Sequence, residues 1–291
     1  MRGRFWTGLV LALLATTAFA QGPGAVRKQI EASMLVTGAM VVEPDGYVSA
    51  WDLDQREKLP DEVVDLVAKS MAAWRFEPVM LDGAAVQAKA RMSLRVVMSR
   101  QDDGSYAITI RSGHFGDEAM SPQERAEFAG TDMVRKERMD PPRYPEQALR
   151  AGVKGTVYLV LKVGRDGRVE DVVAEQVNLR TIGSERQMTQ MREMLARPSI
   201  AVARRWTFAI PTTGKYADES SWTLRVPVDY MFGDDRMPAY GTWQAYIPGP
   251  VQRAPWKGQA LGPGQSPDAM LAGGVYQEGR ELRLLTPLGE G

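Results

Sequence analysis

The chain has no cysteine and a single histidine, His114, among 291 residues. Without thiols there can be no disulfide, no lipid attachment through cysteine and no thiolate ligand or nucleophile. A Ser-His-Asp arrangement would have to use His114, and no G-x-S-x-G elbow accompanies it. Flanked by Gly113 and Phe115, His114 reads as an ordinary loop residue. No Walker or dinucleotide glycine motif occurs. The acidic pairs Asp102-Asp103 and Asp234-Asp235 lack the alternating oxygen ligands of a calcium loop. No catalytic residue, metal or cofactor is assigned, and the chain is not expected to be an enzyme.

Neither sign of charge is in excess, with 36 basic and 36 acidic residues. Nucleic acid and anionic membrane are therefore not expected partners. Long apolar runs are also missing. The one at Phe5 to Thr17 falls short of the ~20 residues that a membrane-spanning helix needs. It follows Arg2 and Arg4 and precedes Ala18-Phe19-Ala20, the order of a secretory signal with an A-x-A cleavage site. Residues 1–20 are read as that signal, with the mature chain starting at Gln21 in the periplasm and no stable membrane insertion afterwards. The alternative is an uncleaved anchor.

What is present is a pattern written twice. Residues 144–230 contain Tyr144-Pro145, Gly152, Gly155, an apolar run, Asp166-Gly167 and a second run. A helix ending in Trp206-Thr207-Phe208 follows, then Trp222 to Val228. Residues 34–99 echo it with Gly38, Asp45-Gly46, a helix ending in Trp74-Arg75-Phe76, and Leu94-Arg95-Val96. An Asp-Gly pair between apolar runs is a strong hairpin signal, because glycine accepts positive φ without steric cost.

The first helix opens with Asp61 and Glu62 behind Pro60, and places Val63, Leu66, Val67, Met71 and Trp74 on one face. The second helical region should break at Pro198, with Met188, Met191, Met194 and Leu195 on a first piece and Pro198 to Arg205 on another. Trp74 and Trp206 are expected to plug the gap between helix and sheet. The expected architecture is α+β: two small domains, each an antiparallel sheet of three to four strands with helices on one face. Their bounds are 21–111 and 141–233, joined by a connector at 112–140 with a short helix from Pro122 to Phe128. A further strand, Tyr106 to Ile110, should hairpin onto strand 89–99. Residues 234–291 form a Gly/Pro-rich tail of little regular structure that packs through Tyr240, Trp243, Tyr246 and Trp256.

This order of elements, with these residues, resembles the TonB carboxy-terminal domain family, well in 144–230 and in degenerate form in 34–99. The resemblance implies that the third strand takes a short extended peptide of an outer-membrane transporter by strand addition. The matching strand is Ser221 to Tyr230. Its partner-binding residues would be Ser221, Thr223, Arg225, Val226, Val228 and Tyr230, with its outer edge free. Pro227 suits an edge strand, and edge prolines also discourage pairing, so that signal points both ways. Tyr144, Pro145, Asp45, Gly46, Asp166, Gly167, Trp74 and Trp206 are read as structural.

No long Pro-rich spacer links an anchor to the domain, so a periplasmic binding or adaptor protein is expected in preference to an energy transducer. A retained anchor at residues 5–20 would restore the latter. The competing reading is a structural envelope protein, self-closed or dimeric. An edge at Ser221 to Tyr230 buried within the folded chain would favour it.

Overall fold

The computed structural model describes residues 31–116, 130–232, 239–256 and 266–288. The signal at 1–20, the expected helix at 122–128 and the Asp234-Asp235 pair lie outside these residues.

The first half opens with strands β1 (Glu31–Val42) and β2 (Val48–Leu53), joined through Asp45-Gly46. Gly46 has φ +88°, and the Asp45 carboxylate accepts the Tyr47 N–H at 3.1 Å. Helix α1 (Asp61–Ala73) follows, burying Val63, Val64, Leu66, Val67 and Met71. A small hairpin, β3 (Val79–Leu81) and β4 (Ala84–Val86), leads to β5 (Ala88–Arg100) and β6 (Tyr106–Phe115). β5 lies on one side of β1, β2 on the other, and β6 pairs along β5 from Arg100/Tyr106 to Met92/Phe115. The extra strand expected at 106–110 is thus present, and it runs five residues further through an irregularity at Arg95/Val96. That extension corrects the reading of His114. It lies in the strand opposite Ser93 and is buried, not in a loop.

After β7 (Arg135–Arg138) and the short helix α2 (Glu146–Arg150), the second half repeats the plan. Gly152 closes α2 at φ +65°, with the Val153 N–H returning to the Ala148 carbonyl at 2.9 Å. β8 (Gly155–Gly164) and β9 (Val169–Leu179) form the hairpin, followed by α3 (Glu185–Ala203), β10 (Thr207–Ala209) and β11 (Ser221–Tyr230). β10 pairs with β7, and β11 pairs with β8 on the side away from β9. The orders β2-β1-β5 and β9-β8-β11 are the same.

The helix α3 is continuous, which corrects the expected break. Pro198 lies inside it. The missing N–H releases the Met194 carbonyl on a half-exposed flank where water can pair it, at a cost of about 3 kcal/mol. Ser184 and Gln187 cap the helix reciprocally, with the Ser184 N–H donating to Gln187 Oε1 at 2.8 Å.

The two halves share a lock that explains why Asp-Gly and Trp-x-Phe recur together. The Gly46 carbonyl accepts the Phe76 N–H at 2.8 Å, and the Gly167 carbonyl accepts the Phe208 N–H at 2.8 Å. In each, a Cβ on the glycine would sit 2.1 Å from the same phenylalanine's carbonyl oxygen. The chain leaving the helix therefore docks on the hairpin turn, which only glycine permits. Trp74 and Trp206 are buried beside these turns, and their indole N–H groups donate to the carbonyls of Leu288 (3.2 Å) and Asp140 (2.8 Å).

The tail is mostly irregular, and it is woven into both sheets. β12 (Gln244–Tyr246) continues the first sheet beside Glu31–Ser33 of β1. Ile247 then exchanges both backbone bonds with Leu179 at 3.0 Å, and Gln252 N–H reaches the Glu175 carbonyl at 2.7 Å, so the segment follows β9. A short 3-10 turn, Pro267–Ala269, is buried between the sheets on the faces away from the helices. There Asp268 accepts hydrogen bonds from the Ser112 and Tyr246 hydroxyls, and its carbonyl accepts two from Arg95 at 2.9 and 2.7 Å. Burial pushes the Tyr158 phenol beside this turn up to about 12. It raises that of Tyr246 too, helped by the Asp268 carboxylate, so both remain neutral donors. β13 (Tyr276–Gln277) joins the second sheet, and Leu282 to Leu288 return to the first core. No helix among the described residues is long and apolar enough to cross a membrane.

Candidate functional site: the outer edge of β11

Antiparallel strands alternate which neighbour their backbone groups face. Thr223 carbonyl accepts the Glu278 N–H at 3.0 Å, so Thr223, Arg225, Pro227 and Asp229 face outward. Val226, Val228 and Tyr230 share the inward parity, toward β8.

The edge expected to be free is occupied by the tail. β13 pairs Leu224 with Gln277 and Arg225 with Tyr276, and Gly273 N–H reaches the Pro227 carbonyl at 3.2 Å. The regular ladder stops there because Pro227 has no N–H to give. Tyr276 and Gln277 are both buried, and the Gln277 side chain accepts the Val134 N–H at 2.8 Å. Tyr276 also packs edge-on against His114 of the first sheet, with ring centroids 4.9 Å apart. Signals for this strand exist in the sequence: Val275-Tyr276 stands between Gly273-Gly274 and Gly279.

The named strand residues divide by face. Ser221 and Thr223 are half-buried. Val226 and Tyr230 belong to the second core with Val228 against it, and Tyr230 shares a 2.8 Å hydrogen bond with Ser199. Arg225 is buried on the opposite face. Its Nε and Nη2 meet Glu175 at 2.7 and 3.1 Å, with side-chain exposures of 4% and 5%. Its guanidinium is thus committed inside the fold, and what the edge offers at Arg225 is backbone. Glu175 carries no signal in the sequence that would pair it with a residue fifty positions on.

Beyond Pro227, among the described residues, no strand pairs with the outer side of β11. Asp229 lies there, held by the Thr156 hydroxyl at 2.7 Å and by Arg180 at 2.6 Å. Tyr144 stacks on Phe232 with centroids 5.5 Å apart and meets Tyr230 edge-on at 5.3 Å. The Tyr144 hydroxyl donates to the Val153 carbonyl, fixing the Tyr144-Pro145 entry to α2 against the end of β11.

Comparison with known proteins places this half in a family context. Residues 140–177 match the family described as Gram-negative bacterial TonB protein C-terminal. Two curated relatives, both Protein TonB, come from Xanthomonas campestris pv. campestris strains B100 and ATCC 33913. Each is 30% identical over 97 residues, which is 33% of this chain and 37% of the relative. The chain thus spans little more than a third of these relatives' length. No solved structure matches. The resemblance read from 144–230 is borne out by the family match. For 34–99 the likeness rests on the repeated strand order and turn lock described above.

Proposed function

We propose that this protein is a non-catalytic TonB-domain protein of the bacterial periplasm that binds an extended peptide or envelope protein by strand addition to β11. An outer-membrane transporter is the partner class that the TonB relatives suggest. The observation that carries the reading is the contrast between the two third strands. β5 is closed along its length by β6 through nine register pairs, whereas β11 holds a separate strand through two. An edge that already takes a short strand has the backbone geometry that a partner strand requires.

The second reading, a self-closed structural protein, is favoured by the tail's binding to both sheets. The two are separated by locking the tail. The chain has no other thiol, and Thr223 and Glu278 form a hydrogen-bonded antiparallel pair, whose Cα atoms are ~5.5 Å apart, within disulfide reach. A Thr223→Cys, Glu278→Cys variant, oxidised, should lose a partner captured from native envelope extract, and reduction should restore it. Equal capture in both redox states would leave the structural reading. Amino-terminal sequencing of the exported chain checks the localisation: a start at Gln21 supports it, and retention of Met1 in membranes overturns it.

A further inference from the structure

Where the tail leaves β11, two hollows open, one on each face of the strand. On the face toward α3, Met139, Pro141, Tyr144, Tyr230 and Phe232 bound a groove of about 600 Å³. On the other face, Thr156, Tyr158, Arg95, Arg180 and Asp229 bound a pocket of about 350 Å³. Ala272 borders both, and Gly273 borders the first. The tail turns through Ala272-Gly273 here, with the Gly274 N–H closing on the Leu271 carbonyl at 3.3 Å, and it brings no side chain larger than a methyl between the hollows. A Cβ built on Gly273 meets nothing within 4 Å.

We infer that this edge recognises an extended peptide that places an acidic side chain and a large apolar side chain at adjacent positions, one in each hollow. The tail pairs with β11 only as far as Pro227 and then turns, leaving both unfilled. The inference rests on the strand-addition reading above and adds the partner's chemistry. Register assigns the positions. In a partner that keeps Tyr276's place opposite Arg225 and stays extended, position 274 would lie opposite Pro227 and position 272 opposite Asp229, whereas the tail itself turns and gives its Gly273 N–H to the Pro227 carbonyl. Paired residues share a face and alternate along the strand. Position 272 therefore faces with Arg225 and Tyr276, toward Arg95 and Arg180. Position 273 faces with Val275, which packs on the second core, toward Tyr144 and Phe232.

Charge favours an acid in the first hollow. Arg180 is paired with Asp229, whereas Arg95 bonds the Asp268 carbonyl and the Ser33 hydroxyl, so the lining carries two guanidiniums against one carboxylate. Aromatic rings favour an apolar group in the second. Gly273 turns the tail away at φ +78°, whereas a partner that stays extended would continue along β11 past Pro227.

The test uses the full chain and labelled peptides read by fluorescence polarisation. The probes are residues 271–278, the same peptide with Ala272→Glu and Gly273→Phe, and a swapped control with Ala272→Phe and Gly273→Glu. The Glu-Phe peptide should bind at least about tenfold tighter than the other two, a difference of ~1.4 kcal/mol. Phe232→Ala should remove most of that gain, bringing the Glu-Phe peptide to within about twofold of the unaltered one. Equal affinities for all three, abolished by the Thr223–Glu278 lock, would refute the reading of the hollows and leave strand addition intact. Binding of the peptides that the lock does not affect, or no binding to the unlocked chain, would overturn strand addition as well.

Discussion

The Arg225–Glu175 pair gives the sharpest energetic test, because the structure reverses what the sequence leads one to expect of it. From the sequence, Arg225 is a partner-binding residue of a free edge strand. In the fold it is a bidentate ion pair at 2.7 and 3.1 Å with both side chains at or below 5% exposure. Removing one partner of such a pair leaves a buried charge without compensation, which costs about 3–5 kcal/mol. That is a large part of the 5–15 kcal/mol that typically holds a domain folded. Replacing both partners with apolar groups of similar volume is often neutral or stabilising. Arg225→Met alone and Glu175→Leu alone should each lower the urea midpoint strongly, and the double variant should recover most of the loss. Urea unfolding followed by far-ultraviolet circular dichroism, with the four proteins forming a double-mutant cycle, measures the coupling. A coupling below about 0.5 kcal/mol would refute the reasoning, as would a single-variant cost near 1 kcal/mol. Either would mean that water reaches the pair and screens it. Partner capture should fall in the single variants in step with stability and return in the double.

Two further outcomes follow from the same structure. Gly46→Ala and Gly167→Ala should each destabilise by about 1–3 kcal/mol from the positive φ alone, and by more because the methyl meets a backbone carbonyl at 2.1 Å; thermal melts showing one tolerated and one disruptive would break the equivalence of the two locks. Asp54 is held below the ordinary carboxylate value: burial would raise it, but hydrogen bonds from Arg91 and Thr37 outweigh that. The lowered native value means that its contribution is present above about pH 4, the unfolded value, and fades as pH falls through the native one; Asp54→Asn should flatten the acid limb of a stability–pH curve there and leave its slope at neutral pH unchanged.

The sequence carried the local order well and the long-range pairings poorly. Asp45-Gly46 and Asp166-Gly167 marked both hairpins because a positive-φ turn leaves few residue choices. The α1 face was visible in the spacing of Val63, Leu66, Val67 and Met71. Pro198 misled, since a half-exposed flank can absorb the carbonyl that a proline releases. His114 misled because a strand irregularity carried β6 past Ile110, where the expected strand ended. The covering of β11 was hidden for a different reason. Two residues of strand within a Gly/Pro-rich stretch have almost no periodicity, and the pairing of Tyr276 with Arg225 depends on a path that local propensity does not encode. The same holds for Glu175, whose partner is set by sheet order.

The tail's position along the chain has a consequence in time. Trp74 donates to the carbonyl of Leu288, 214 residues on, and Arg95 to that of Asp268, 173 residues on. These residues leave the ribosome after everything they close. A growing chain can therefore complete both hairpins, both helices and both three-stranded cores while the Trp74 indole and the β11 edge still await their last partners. Loop closure of this span is slow relative to helix and hairpin formation. For that interval the molecule is nearly folded with its seams open, the state in which chaperones and proteases can tell an unfinished chain from a finished one.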